Sequence, residues 1–217
     1  MGERTLSRLI AISALGAAAM LAAMLAVSLL NGGATAQDFE VFQDPLSYTR
    51  DLLAAEGPLR AILTFDNLFL ILYTAAFLLI AQAAWGKKSA LLTIAALGAI
   101  LITTYLDMQE NAELLTFLTL AKNSFGVSAE MLARRMTLSQ VKFLSSYLSF
   151  FLFAFLLPSD TFLEWLLKWS LWVLAPLVGV LVYTYPSNFF SLGRYLFMLS
   201  GLLLVAWNYW QRTKVTD

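Results

Sequence analysis

Six stretches of this chain are apolar over the length needed to cross a lipid bilayer, and that pattern limits the fold more than any motif does. A hydrocarbon core about 30 Å thick offers no water to unpaired backbone groups, so a crossing segment is a helix of about 20 residues rising ~1.5 Å per residue. The runs lie at about residues 9–30, 66–85, 89–107, 142–157, 162–183 and 188–209. They predict an all-α polytopic membrane helix bundle of six transmembrane helices with short interfacial helices, forming a single integral membrane domain over residues 1–217. Composition agrees, since 60% hydrophobic residues, 13% charged residues and a mean hydropathy of +0.74 lie outside the soluble range of about 45–50% apolar and 25% charged.

The first run, Leu9 to Leu30, follows Arg4 and Arg8. Ala34-Thr35-Ala36 has the small-x-small form of a signal cleavage site, but the run exceeds the roughly 7–15 apolar residues of a secretory signal, so it is read as a retained span. Residues 31–65 then read as a polar connection punctuated by Asn31-Gly32-Gly33, Pro45 and Pro58. Within it, Leu46 to Gly57 is weakly amphipathic and suits either the membrane interface or a surface helix packed on its own protein. The very short Gly86-Lys87-Lys88 turn makes the second and third spans antiparallel neighbours. Residues 112–138 read as one or two short helices outside the hydrocarbon. Pro158-Ser159-Asp160 separates the fourth and fifth spans, Pro176 predicts a kink, and Tyr183-Thr184-Tyr185-Pro186 marks an interface.

Six spans place both termini on one side. Arg4, Arg8, Lys87, Lys88, Arg212 and Lys214 fall on that side, against Arg50, Arg60, Lys122, Arg134 and Arg135 in longer connections opposite. The bias of cations toward the cytoplasm therefore favours cytoplasmic termini in the cell (inner) membrane.

The 14 basic and 14 acidic residues cancel, so nothing recommends nucleic acid as a partner. With no Cys and no His, thiolate nucleophiles, disulfides, the usual haem and iron-sulfur ligands and nearly every zinc site are excluded. No nucleotide-binding loop or nucleophile motif favours an enzyme, no cofactor is implied and catalytic residues are unassigned.

Polar groups converge at one membrane level. Asp107, Glu110 and Asn111 share a helix face at the end of the third span, and a carboxylate deep in a membrane helix costs roughly 2.5–3.5 kcal/mol unless partnered. Asp66 opens the antiparallel second span, with Tyr73 seven residues on, and Tyr105 stands just before Asp107. The fourth span brings Lys142 within a polar stripe of Ser139, Ser145, Ser146 and Ser149, and Arg194 lies early in the sixth. One reading is a polar knot that only fixes packing, with Asp107 or Glu110 paired to Lys142 or Arg194. The other is a solvent-reachable pocket with Asp107 and Glu110 as acid-base or ligand-contacting groups, where neighbouring carboxylates also resist ionising together. Oxygens of Asp66, Asp107, Glu110 and Asn111 suit Ca²⁺ or Mg²⁺ in chemistry, but their spacing matches no metal signature and no metal is assigned.

Three features are weaker. Glu164 and Lys168, four apart, read as a local ion pair at the opposite membrane face. Phe150, Phe151, Phe153 and Phe155 read as lipid-facing and core surface. Gly193, Ser200 and Gly201 suggest close helix approach.

Asp66 with Tyr73, Asp107-x-x-Glu110-Asn111 and Lys142 together resemble a pattern in small bacterial multi-pass membrane proteins of uncharacterised function, over residues 66 to about 155. That resemblance brings no activity with it. The expected function is binding, with transport or modification as extensions, of a lipid or small molecule at the carboxylate-lined site, with membrane lipid as a partner. The alternative is a non-catalytic accessory or assembly subunit with protein partners in a larger membrane complex.

Overall fold

The computed structural model describes residues 2–33, 35–185 and 188–215. Ala34 of the small-x-small stretch and Pro186 of the aromatic boundary lie outside them. The described chain is an all-α bundle with six helices long and apolar enough to cross a membrane. In chain order these elements are α1 (Glu3–Leu30), a 3₁₀ turn (Ala36–Phe39), α2 (Pro45–Ala54), α3 (Glu56–Ala84), α4 (Ala90–Lys122) and α5 (Ala129–Leu156). Then come α6 (Phe162–Trp169), a π turn (Ser170–Leu174), α7 (Ala175–Thr184) and α8 (Asn188–Val215).

Three helices run well beyond the expected spans. Pro58, read as punctuation, sits in the first turn of α3, where a missing N–H breaks no hydrogen bond. The expected short helices over 112–138 are instead the continuation of α4 and the beginning of α5, joined through residues 123–128. At 33 residues α4 is about 50 Å long, some 20 Å more than the hydrocarbon requires. The polarity after Asp107 is therefore not the end of the helix, which continues to Lys122 with Asn123 as its C-cap.

The emergent ends of α3, α4 and α5 form a cap with the 3₁₀ turn and α2. Phe39, Tyr48, Leu52, Leu59, Leu114, Phe117, Leu118 and Leu132 make its separate apolar core. Asp44 caps α2 through the N–H groups of Leu46 and Ser47, and Pro45 occupies its first turn. Tyr48 and Leu52 are fully buried, so the amphipathic stretch is packed on its own protein. Burial pushes the Tyr48 phenol up to about 12, and its hydroxyl donates to the Phe39 carbonyl at 3.3 Å.

A second, larger core fills the bundle. In α1, Ala11, Ala14, Ala17 and Ala18 are buried, and α1 packs against α3 and α8. Small residues bring helices close here, Gly16 lying against Leu72. Gly193 and Gly201 face open space, so the close approach expected at them is not made. Phe153 is buried and packs 4.7 Å from Phe77, with Phe150 at 5.7 Å, while Phe155 is partly exposed toward Trp172.

The α3–α4 turn needs Gly86, whose φ of 76° is left-handed and strained for any residue with a Cβ. The expected kink at Pro176 appears as the π turn just before it. Proline supplies no N–H and its ring crowds the carbonyl four residues back, so the preceding turn widens.

Candidate functional site in the polar chamber

The predicted polar residues gather where the two cores meet. Asp66 follows Leu63 of the cap core and precedes Phe69 of the bundle core along α3; Asp107 and Glu110 lie between Ile100 and Leu114 on α4. Each helix presents its polar group as it passes from hydrocarbon to cap.

Lys142 is the centre. Its Nζ lies 3.0 Å from Asp107 Oδ1 and 3.4 Å from Glu40 Oε1, and pairs most closely with Glu110 Oε2. The lysine and Glu110 are buried, and Asp107 and Glu40 nearly so. Glu40 also accepts from Ser139 Oγ at 3.1 Å. Arg135, 2% exposed, donates to two main-chain carbonyls, Phe39 at 2.9 Å and Glu110 at 2.8 Å, and so ties the 3₁₀ turn to α4.

Asp66 reaches its neighbour helix through Asn111, whose Nδ2 donates to Asp66 Oδ2 at 2.7 Å and to Asn67 Oδ1 at 3.3 Å. Tyr73, buried beside this cluster, has its hydroxyl 3.2 Å from the Thr104 hydroxyl. Seven of the eight predicted residues therefore share one region. The exception is Tyr105, 66% exposed, which the helical twist turns away from the chamber. Arg194 joins through an aromatic contact: its guanidinium lies 4.0 Å from the Phe143 ring centroid.

Two contributors lie outside the predicted set. Arg135 is four residues before Ser139, so extending the α5 stripe by one turn would have found it. Glu40 belongs to a connection 102 residues from Lys142 in sequence, and no local pattern points to it. Burial acts to raise the Glu40 carboxyl, but the positive charges of Lys142, Arg135 and Arg194 outweigh it and hold the group below its ordinary value.

The charges do not balance. Glu40, Asp66, Asp107 and Glu110 supply four carboxylates against Lys142, Arg135 and Arg194. Glu110 Oε1 is buried without a hydrogen-bond partner among the described residues. Among those residues no cluster of three or more His, Cys, Asp or Glu is arranged to hold a metal ion.

At the opposite face the expected Glu164–Lys168 pair is not made. Glu164 Oε1 instead meets Arg212 at 2.6 Å, and Oε2 accepts the N–H groups of Asp160 and Thr161 as a capping box. Comparison of the chain with protein-family models, curated proteins and solved structures finds no match.

Proposed function

We propose that this integral membrane protein binds a lipid headgroup or small molecule bearing a cationic, hydrogen-donating group in the chamber around Lys142. The excess of one carboxylate carries this reading. A buried net charge is costly unless compensated, so the chamber is complete only with a further positive group, either a proton or that of a bound molecule. Glu110 Oε1 is the open acceptor for it, with Asp107 and Asp66 as flanking acids and Asn111 as the group that orients Asp66. Lys142 holds Glu40, Asp107 and Glu110 in place, Arg135 fixes the main chain of Phe39 and Glu110 beside them, and Arg194 closes the α8 side. The cationic residues on the face shared by the termini support cytoplasmic termini, which puts the chamber toward the opposite face.

A second reading, an accessory subunit in a larger membrane complex, is favoured by one observation. The contacts around Lys142 and Arg135 bind the cap to the bundle, as an assembly element would require.

Native mass spectrometry of the chain, released from membranes in mild detergent, separates the two. The ligand reading expects a bound small-molecule or lipid mass that Glu110→Gln and Asp107→Asn lose while remaining folded. Bare chain with fixed protein partners, in both wild type and variants, would support the accessory subunit instead.

A further inference from the structure

At the membrane face opposite the chamber, a groove of about 290 Å³ runs between the end of α5 and α6. Phe155, Ser159, Trp165, Lys168, Trp169 and Trp172 line it. The three tryptophans are spaced four and three residues apart and contact one another in sequence as tilted pairs, Trp165 to Trp169 at 5.9 Å and Trp169 to Trp172 at 4.6 Å, with Phe155 edge-on 6.0 Å from Trp172. Trp165 and Trp169 leave 47% and 40% of their surface open. This is a continuous aromatic wall facing outward from the bundle.

Lys168 stands at this wall without an ion pair among the described residues. Its helical neighbour Glu164 is taken on one oxygen by Arg212 and on the other by the N–H groups of Asp160 and Thr161 just before α6, and Asp160 is also held by Arg212, at 2.9 Å. Lys168 lies six residues past Phe162, about 9 Å into the span. An ammonium at that depth needs a counter-charge, and its flexible stem lets it rise toward the headgroup level. The surroundings of a membrane protein there supply one abundant anion, the phosphate of a phospholipid. The same face carries Arg8 and Lys88 besides Lys87, which pairs with Glu3, and this adds positive charge that favours lipids with net negative charge.

We propose that this groove is a binding site for an anionic phospholipid, its phosphate on Lys168 and Ser159 and an acyl chain along Trp165, Trp169 and Trp172. The site is separate from the chamber and does not depend on what the chamber binds.

The test uses the purified full chain in detergent, with phosphatidylglycerol or phosphatidylcholine added in equal amounts and retained lipid counted by native mass spectrometry. Wild type should retain phosphatidylglycerol over phosphatidylcholine. Lys168→Gln should lower that retention by roughly fivefold, the worth of one cation near a charged headgroup, and Lys168→Arg should preserve it. Trp165→Leu, at an outward ring whose loss leaves the core intact, should weaken retention of both lipids and serves if Lys168→Gln does not fold. Equal retention of the two lipids, or retention unchanged by both Lys168→Gln and Trp165→Leu, would overturn the proposal.

Discussion

Glu40 Oε1 lies 3.4 Å from Lys142 Nζ, joining a connection outside the membrane to the middle of α5. That contact, with the Arg135 bond to Phe39, makes the chamber a junction between cap and bundle.

Acid should loosen this junction. The Glu40 carboxyl is held below its ordinary value of 4.5, so it binds protons more weakly in the folded protein than in the unfolded chain. Its contribution is therefore complete above about pH 4.5 and is lost as pH falls through the lower folded-state value. Hydrogen exchange over residues 36–54, followed from about pH 6 to pH 3, should show protection falling at the acid end. Glu40→Gln should start lower and lack the part of the fall that belongs to this group. Parallel curves for the two proteins would rule out the role given to Glu40.

Removing the central cation should be far worse than removing one acid. Lys142→Met leaves Glu40, Asp107 and Glu110 buried together without their shared partner, a change worth about 3–5 kcal/mol of destabilisation. Thermal unfolding in detergent measures it. A loss below about 1 kcal/mol would mean that the carboxylates are solvated and the chamber is open to water.

Gly179 and Tyr147 form a contact that tolerates no added carbon. A Cβ at position 179 would overlap the Tyr147 ring, which Phe143 backs at 6.4 Å on its own helix. Gly179→Ala should destabilise by about 1–3 kcal/mol through overpacking, and Tyr147→Leu in the same chain should recover most of it. Additive losses in a double-mutant cycle would show that the two positions do not meet.

Much of this arrangement was legible in the sequence because a membrane enforces it. Asp66 and Asp107 share a level since a turn as short as Gly86-Lys87-Lys88 cannot offset two antiparallel helices, and Lys142 follows from the next crossing. Helix length was less legible. From 112 to 122 Glu113, Thr116, Thr119 and Lys122 mix with apolar residues and no Gly or Pro intervenes, so the helix continues with a second apolar core to pack against. Leu114, Phe117 and Leu118 carry that core at helical spacing, a signal hidden by reading polarity as a helix end.

Side-chain partners were legible only where spacing fixes them. The polar stripe of α5 gave Ser139 and Lys142, yet Glu164 chose Arg212 over Lys168, four residues away, because the cap N–H groups of Asp160 and Thr161 and a guanidinium meeting Oε1 through two nitrogens outcompete a flexible ammonium. Glu40 depends on how a 14-residue stretch between α1 and α2 folds back, which no periodicity encodes.

The melting temperature of Glu110→Gln, stripped of bound molecules in detergent and set beside wild type, tests the central claim most directly. The substitution leaves three carboxylates against three cations, with Asp107 and Glu40 still on Lys142. If the excess charge awaits a ligand, the stripped variant melts within about 3 °C of wild type or above it, since removing uncompensated charge offsets the lost pair. A fall of roughly 10 °C or more, as a broken buried ion pair of 3–5 kcal/mol gives in a chain this size, would contradict the binding-site account and make the cluster a structural lock.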